Sequence, residues 1–256
     1  MIFWGGNFSI HKVLFDLVGT LVYETSSSGV LNTEQGYYEI QAKAIHDSLE
    51  MDGILADWSL FRSHYERVRR MEKERSKLTL EEYDMCKGIS DVLSFFKYEI
   101  PPESEVITRA VNAYMDIYIN SLKINVSAYD ILKRLTVEYE LGLVTNFAYP
   151  PGACRILDRF SLKSFFRVIV ISGEVGWKKP SQQIFSIALS RLNANPEETL
   201  FVGDDYEADI VGAKGLGMRT VFLGKEPLNN EDIDITIESL DQLLFAIKQF
   251  SPRANT

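Results

Sequence analysis

HKVLFDLVGTLVYE, residues 11–24, decides how the rest of the chain is read. The apolar run Val13, Leu14, Phe15 delivers a single carboxylate, Asp16, to its end, and Gly19, Thr20 and Leu21 then turn the chain away. A short apolar run bounded by turn residues reads as a buried strand. The C-terminal tips of strands are where open α/β sheets bind their ligands. Asp16 is therefore either a turn former, a common role for Asp near Gly, or a nucleophile and metal ligand. The second choice requires a hydroxyl, a lysine and further carboxylates at comparable strand ends.

The second half of the chain has the matching rhythm. Apolar runs at Leu141 to Val144, Val168 to Ile171, Leu200 to Val202 and Val221 to Leu223 alternate with helical periodicity near 127–138, 152–160, 181–193, 206–216 and 238–250. Strands separated by helices imply right-handed crossovers and a parallel sheet, which the run before Asp16 joins as a fifth strand. The fold class expected is α/β, a doubly wound parallel sheet built from residues 1–23 and 124–256.

Between residues 24 and 123 strand-like runs vanish and helical spacing takes over, so this segment reads as an inserted four-helix bundle. Asp57 is expected to cap a helix bearing Trp58, Phe61, Tyr65, Val68 and Met71. Thr79 and Glu82 fit a capping box ahead of Tyr83, Ile89, Val92 and Phe96. Pro101 and Pro102 break the chain before a last helix. The mixed charges of Arg62 to Lys77 read as a solvated helix face, and the tyrosines with Trp58 as core.

Composition narrows the function. The 256 residues are 46% hydrophobic and 25% charged, the balance of an ordinary globule with ample length for a core. A formal net charge of -9 argues against broad contact with nucleic acid or an anionic membrane, while leaving room for a local anion pocket. Cys86 and Cys154 lie far apart in sequence, suggesting neither a disulfide framework nor a cysteine metal site, and the cytoplasm is the default compartment. No apolar run approaches the roughly 18 residues needed to span a bilayer. The opening MIFWGGNFSI lacks a basic leader and reads as a lead-in to the first strand.

The required partners of Asp16 are all present at strand ends. Leu141 to Val144 ends in Thr145 and Asn146, whose small polar groups can hold an anionic oxygen. Val168 to Ile171 leads through Ser172 and Glu174 to Lys179, just before Pro180 at a helix start. Leu200 to Val202 ends in GDDYEAD, which places Asp204, Asp205 and Asp209 in one turn. Carboxylates crowded together repel one another unless a divalent cation shares them, and hard oxygen ligands suit Mg²⁺.

VLFDLVGTL, LGLVTNF, GEVGWKKPSQQIF and LFVGDDYEADIVGAKGLGM resemble the four motifs of haloacid dehalogenase-like hydrolases, in the usual order, and the likeness covers essentially the whole chain. The insert matches the position of that family's helical cap. The resemblance implies that Asp16 is the nucleophile, that Thr145 and Lys179 bind the transferring group, and that Asp204 with Asp209 or Asp205 holds Mg²⁺. It also implies that Val18, through its backbone carbonyl, belongs to the metal site, with Val18 and Asn146 facing the substrate. The expected partner is a small phosphorylated molecule, bound by a monomer or homodimer.

The departure from the family lies at Val18, where phosphatases carry a second aspartate. That acid protonates the leaving oxygen and then activates water, general acid-base work worth about 10²- to 10⁴-fold. Valine does neither. Substrates with good leaving groups tolerate the loss best, so phosphonate or 2-haloacid hydrolysis, or a binding protein with impaired catalysis, stands beside the phosphatase reading. His46, Glu24 and Glu34 are candidate replacement acids, and Lys43 is the nearest candidate for a phosphonatase-type Schiff base. His11 and His64 read as structural. Ser181 stands where the family usually has Asp and can still cap a helix.

Overall fold

The structure is a computed structural model that describes residues 9–25, 34–224 and 230–250, apart from the side chains at positions 34, 35 and 37. The lead-in at 1–8 and the Glu34 carboxylate lie outside the described residues. Two compact units divide the chain: Met1–Tyr23, Lys123–Asn146 and Leu157–Thr256 form one, and Glu24–Leu122 with Phe147–Ile156 form the other.

In chain order the elements begin with β1 (Lys12–Phe15), β2 (Val22–Glu24), α1 (Glu34–Met51), α2 (Trp58–Thr79), α3 (Met85–Phe95), α4 (Glu105–Ser121) and β3 (Leu122–Ile124). They continue with α5 (Ala128–Leu135), β4 (Glu140–Thr145), α6 (Pro150–Arg159), β5 (Val168–Ile171), α7 (Ser172–Val175) and α8 (Gln182–Leu192). After β6 (Thr199–Gly203) comes a π-helix at Tyr206–Val211, then α9 (Gly212–Lys214), β7 (Arg219–Leu223), β8 (Ile235–Ile237) and α10 (Leu243–Lys248).

The first unit is built on a six-stranded parallel sheet in the order β5-β4-β1-β6-β7-β8. All five expected strands are present. The sixth, β8, is only Ile-Thr-Ile among acidic residues, too short to register as an apolar run. The chain runs from β1 outward to β4 and β5 on one side, then returns to the other side of β1 for β6, β7 and β8. β1 is thus the strand where the winding reverses, the crevice position for ligands in such sheets. Its residues Val13, Leu14 and Phe15 are wholly buried, as a strand covered on both faces requires. Leu14, Val144, Val170 and Phe201 meet Ile184, Phe185, Ala188 and Leu189 of α8 in one apolar cluster.

The second unit is helical. α2 starts where expected, with Asp57 accepting the Leu60 N–H at 3.0 Å. Thr79 and Glu82 do not form a capping box: α2 continues through Thr79, whose hydroxyl donates back to the Arg75 carbonyl, and Leu80 ends the helix in a left-handed conformation. The cap of α3 is Asp84, which accepts the Lys87 N–H at 3.0 Å. Ser104 caps α4. Tyr65, Tyr83 and Tyr114 are buried, but Trp58, Tyr38, Tyr98 and Tyr118 are only half-buried and Met71 is exposed, so the core takes fewer of these side chains than the spacing implied. The charged face of α2 carries local ion pairs such as Arg62–Glu66 and Lys77–Glu74. Arg69 departs from that face, lying 4.3 Å from the centre of the Tyr83 ring. Phe147–Ile156, after β4, also groups with these helices, with Arg155 and Tyr149 reaching Asn112 of α4. Among the described residues no helix is long and apolar enough to cross a membrane.

Candidate active site

The site is assembled at the tips of β1, β4 and β6. Phe15 pairs with Leu143 on one side and Val202 on the other, and the Asp16 N–H donates to the Val202 carbonyl at 3.0 Å. Asp16 therefore leaves the sheet between the ends of two neighbouring strands. The chain then turns tightly, with the N–H groups of Leu21 and Val22 both donating to the Leu17 carbonyl. Gly19 sits in this turn at φ +103°, and a Cβ there would fall 2.0 Å from Asp204 Oδ2. Glycine is needed twice over, for the backbone angle and for the approach of the carboxylate. Thr20, buried beside it, donates its hydroxyl to Asp204 Oδ1 at 2.9 Å.

The tip of β6 supplies the acids. Asp204 is half-buried and follows Gly203, whose missing Cβ leaves space for Asp209: a methyl there would lie 2.2 Å from Asp209 Oδ2. Asp209 is buried in the π-helix, and its Oδ2 accepts the Asp205 N–H at 3.0 Å. Asp205 has a different use. Its exposed side chain accepts the Ala208 N–H at 2.9 Å and caps the π-helix. One carboxylate oxygen from each of Asp16, Asp204 and Asp209 lies within 4.8 Å of the other two, and Asp205 stands outside that group.

Lys179 joins the acids. Its Nζ lies 2.6 Å from Asp16 Oδ1 and 2.6 Å from Asp209 Oδ1, and it sits 5.4 Å from the centre of the Phe201 ring. Asn146 holds the lysine backbone, donating to the Lys179 carbonyl at 3.0 Å and accepting the Lys179 N–H at 2.7 Å. Just past Lys179, Ser181 caps α8 by accepting the Gln183 N–H. Thr145 is buried at the end of β4.

Three carboxylates and one ammonium leave a formal charge of −2 in a site where Asp16, Lys179 and Asp209 are each at most 6% exposed. Burial pushes Asp16 up to about 7; Lys179 opposes the rise, while Asp209 and Asp204 add to it. Burial likewise lifts Asp204 to about 6, against the Thr20 hydrogen bond, with Asp209 raising it further. Burial alone would weaken the charge on Lys179, but the two carboxylates in contact with it raise its pKa and keep it an ammonium. The acids repel one another and lie close enough to share one ion, so the residues present fit a divalent cation bound through oxygen.

The remaining candidates stand as follows. Val18 is half-buried, two residues past Asp16. Glu24 is exposed on β2, His11 is exposed, and the His64 ring centre lies 3.4 Å from that of Phe95. His46 is buried with Nε2 2.8 Å from the Ala56 carbonyl, and the Lys43 ammonium binds Asp47. Ser172 is buried and Glu174 exposed in α7. Two roles had no sequence signal of their own: the Thr20 hydroxyl on Asp204, and the clasp of Asn146 on the Lys179 backbone. The only hint of either was position, next to a turn and at a strand end.

Residues 49–223 match the family model described as haloacid dehalogenase-like hydrolase. A glyceraldehyde 3-phosphate phosphatase of Methanopyrus kandleri is 35% identical over 158 residues, 59% of this chain and 67% of that protein. A protein of the same name from Pyrococcus abyssi is 28% identical over 214 residues, 83% of this chain and 81% of its own length. Among solved structures, a 2-haloacid dehalogenase of Pseudomonas syringae superposes with a TM-score of 0.69 at 20% identity, covering 94% of this chain and 100% of that one.

Proposed function

The chain belongs to the haloacid dehalogenase-like hydrolase family, and on that premise we propose that it is a Mg²⁺-dependent phosphatase acting on a small phosphorylated metabolite through Asp16. The observation that carries the reading is Lys179 Nζ, 2.6 Å from both Asp16 and Asp209, within a set of three clustered carboxylates. The two glyceraldehyde 3-phosphate phosphatases support a phosphate ester as substrate.

In this reading Asp16, Asp204 and Asp209, with the Val18 carbonyl, would hold Mg²⁺, which would supply positive charge to the transferring group. Asp209 is preferred to Asp205, whose side chain is committed to the π-helix cap. Lys179 takes one oxygen of Asp16 and leaves the other free to attack phosphorus. The same ammonium and the Thr145 hydroxyl stabilise the negative charge on the transferring group. Attack forms an aspartyl-phosphate and releases the leaving oxygen; water then cleaves the acyl phosphate and regenerates the Asp16 carboxylate. Thr20 and Gly19 position Asp204, and Asn146 positions Lys179.

Val18 favours substrates whose leaving group departs with little proton assistance, aryl and acyl phosphates before alkyl ones such as glyceraldehyde 3-phosphate, so the relatives support the reaction class and not this preference. Val18 also favours a second reading, phosphonate or 2-haloacid hydrolysis. The Asp204–Asp209 cluster weighs against the halide version, which has no use for clustered metal-binding acids. Turnover of an aryl, acyl and alkyl phosphate panel with and without Mg²⁺ tests the proposal. Activity that needs Mg²⁺ and disappears in Asp16→Asn is expected. Halide release without Mg²⁺, or full phosphatase activity in Asp16→Asn, would overturn it.

A further inference from the structure

Helix α1 carries a second group of metal-type ligands, none of which belongs to the carboxylate cluster described above. His46 is 3% exposed. Its Nε2 lies 2.8 Å from the Ala56 carbonyl, which can only accept, so Nε2 holds the ring proton and Nδ1 presents a bare lone pair in the neutral imidazole. That Nδ1 is buried without a hydrogen-bond partner. It faces two groups that also only accept when ionised, Asp47 Oδ1 at 3.6 Å and Glu50 Oε2 at 3.9 Å.

Acceptors turned toward one another call for a cation between them. A proton on Nδ1 does not meet the need, because 3.6 Å is too long for a hydrogen bond. A metal ion meets it better: ligands about 2.0–2.1 Å from a tetrahedral zinc stand about 3.3 Å apart. The ligand atoms of His46, Asp47 and Glu50 all lie within 4.8 Å of one another. Asp47 and Glu50 are about half exposed, so their carboxylates can adjust by rotamer changes and an ion can enter from solvent.

The histidine is held as metal-binding histidines are, with its other ring nitrogen donating to a backbone carbonyl. Trp58 and Phe61 meet the ring edge-on, at centroid distances of 5.3 and 5.2 Å, and fix its plane. Lys43, whose ammonium binds Asp47 Oδ1 and lies 5.3 Å from the centre of the Trp58 ring, is the competing cation, and a bound metal must displace it from Asp47.

We propose that His46 Nδ1, Asp47 and Glu50 form a binding site for a divalent transition-metal cation of the zinc class in the helical unit. One imidazole and two carboxylates suit zinc, nickel or cobalt better than the all-oxygen preference of magnesium. Bound metal would lock the end of α1 to the connection before α2 through the Ala56 contact, and so stabilise the helical unit by mass action.

The test is calorimetric titration of the full chain with Zn²⁺ in excess Mg²⁺, repeated on Asp47→Asn, Glu50→Gln, His46→Gln and Asp204→Asn. Co²⁺ quenching of tryptophan fluorescence, taken as the difference between the parent and Trp58→Phe because Trp4 and Trp177 also emit, serves as a local reporter. One zinc per chain is expected, with a rise in melting temperature, and binding weakened at least about tenfold in Asp47→Asn and Glu50→Gln. It should be lost in His46→Gln and kept in Asp204→Asn. Should His46→Gln fail to fold, the two exposed carboxylate variants decide. Zinc affinity unchanged in Asp47→Asn and Glu50→Gln, affinity lost only in Asp204→Asn, or no binding below millimolar zinc would overturn the proposal.

Discussion

The side-chain amide of Asn146 closes on the Lys179 backbone at both ends, accepting its N–H at 2.7 Å and donating to its carbonyl at 3.0 Å. The tip of β4 is thereby tied to the residue that bridges Asp16 and Asp209. Asn146→Ala removes both bonds without touching the ammonium. A misplacement of about 1 Å at a reacting centre costs about 10²-fold in rate, so kcat should fall by about that factor while KM moves less. Asn146→Asp keeps one acceptor and should lie between. Steady-state kinetics on an aryl phosphate reads the split; a change confined to KM would place Asn146 on the substrate instead.

Val18→Asp supplies a carboxylate where the proposed mechanism lacks a general acid and base. The half-buried position is compatible with a polar group reaching solvent. Turnover of alkyl phosphates should rise by about 10²-fold, the lower end of what such a group supplies, with a smaller gain on aryl phosphates. Rates for the two substrate types, measured side by side, check the prediction. Equal gains on both would mean that the leaving-group proton is not what limits this enzyme.

Gly19→Ala should damage both stability and metal affinity. Its φ of +103° is costly for alanine, and the added methyl would collide with the Asp204 carboxylate. Backbone strain of this kind costs about 1–3 kcal/mol, and urea unfolding should show a loss of that order. Because Asp204 must move, Mg²⁺ affinity should fall too. Thr20→Val, which removes only the hydrogen bond to Asp204, is the milder comparison.

If the three carboxylates hold Mg²⁺ as proposed, its binding must depend on pH. Without metal, Asp16 is raised to about 7 and Asp204 to about 6 from the ordinary 3.8, so the folded chain holds protons that the unfolded chain releases. The stability these two groups contribute is fully present below about pH 4 and is lost as pH rises through 6 to 7. A divalent cation acts in the opposite sense, favouring the ionised forms. Mg²⁺ should therefore bind more tightly at pH 8 than at pH 5.5, release protons below pH 7, and raise the melting temperature more at the higher pH. Calorimetry in buffers of different ionisation enthalpy counts the protons.

What the sequence made legible follows from scale. Apolar runs of three or four residues marked five of the six strands of the parallel sheet, because strands buried on both faces must be continuous hydrophobic stretches, and left the short β2–β3 pair unmarked. The sixth, Ile235–Ile237, is too short and too flanked by acids to show the pattern. In the site, the acid at the end of β1 and the acids after β6 could be read from strand tips. The division of labour between Asp205 and Asp209 could not. It depends on the π-helix, which turns Asp209 inward over Gly203 and leaves Asp205 as a cap. The start of α3 was misplaced for a related reason: Thr79 and Glu82 match a capping pattern, but Asp84 offers a carboxylate at the right distance from the Lys87 N–H. Local spacing proposes caps, and the actual end of the preceding helix selects among them.

Lys179→Met should be the most destabilising substitution in the site, for a reason separate from catalysis. The ammonium is 2% exposed and touches two buried carboxylates. Removing one partner of a buried ion pair leaves uncompensated charge and costs about 3–5 kcal/mol. Methionine fills the space of the stem, so the loss reports charge rather than packing. Two rescues follow from that cause. Lowering the pH to 5 protonates the orphaned acids and should shrink the deficit, and Mg²⁺ should stabilise the variant more than it stabilises the parent, since it replaces the missing positive charge. Neither treatment restores the cation proposed to bind the transferring group, so activity should stay lost while stability returns. Thermal melts at pH 5 and 8, with and without Mg²⁺, separate the two effects. A deficit independent of both pH and Mg²⁺ would show that the lysine holds the site by its shape and not by its charge.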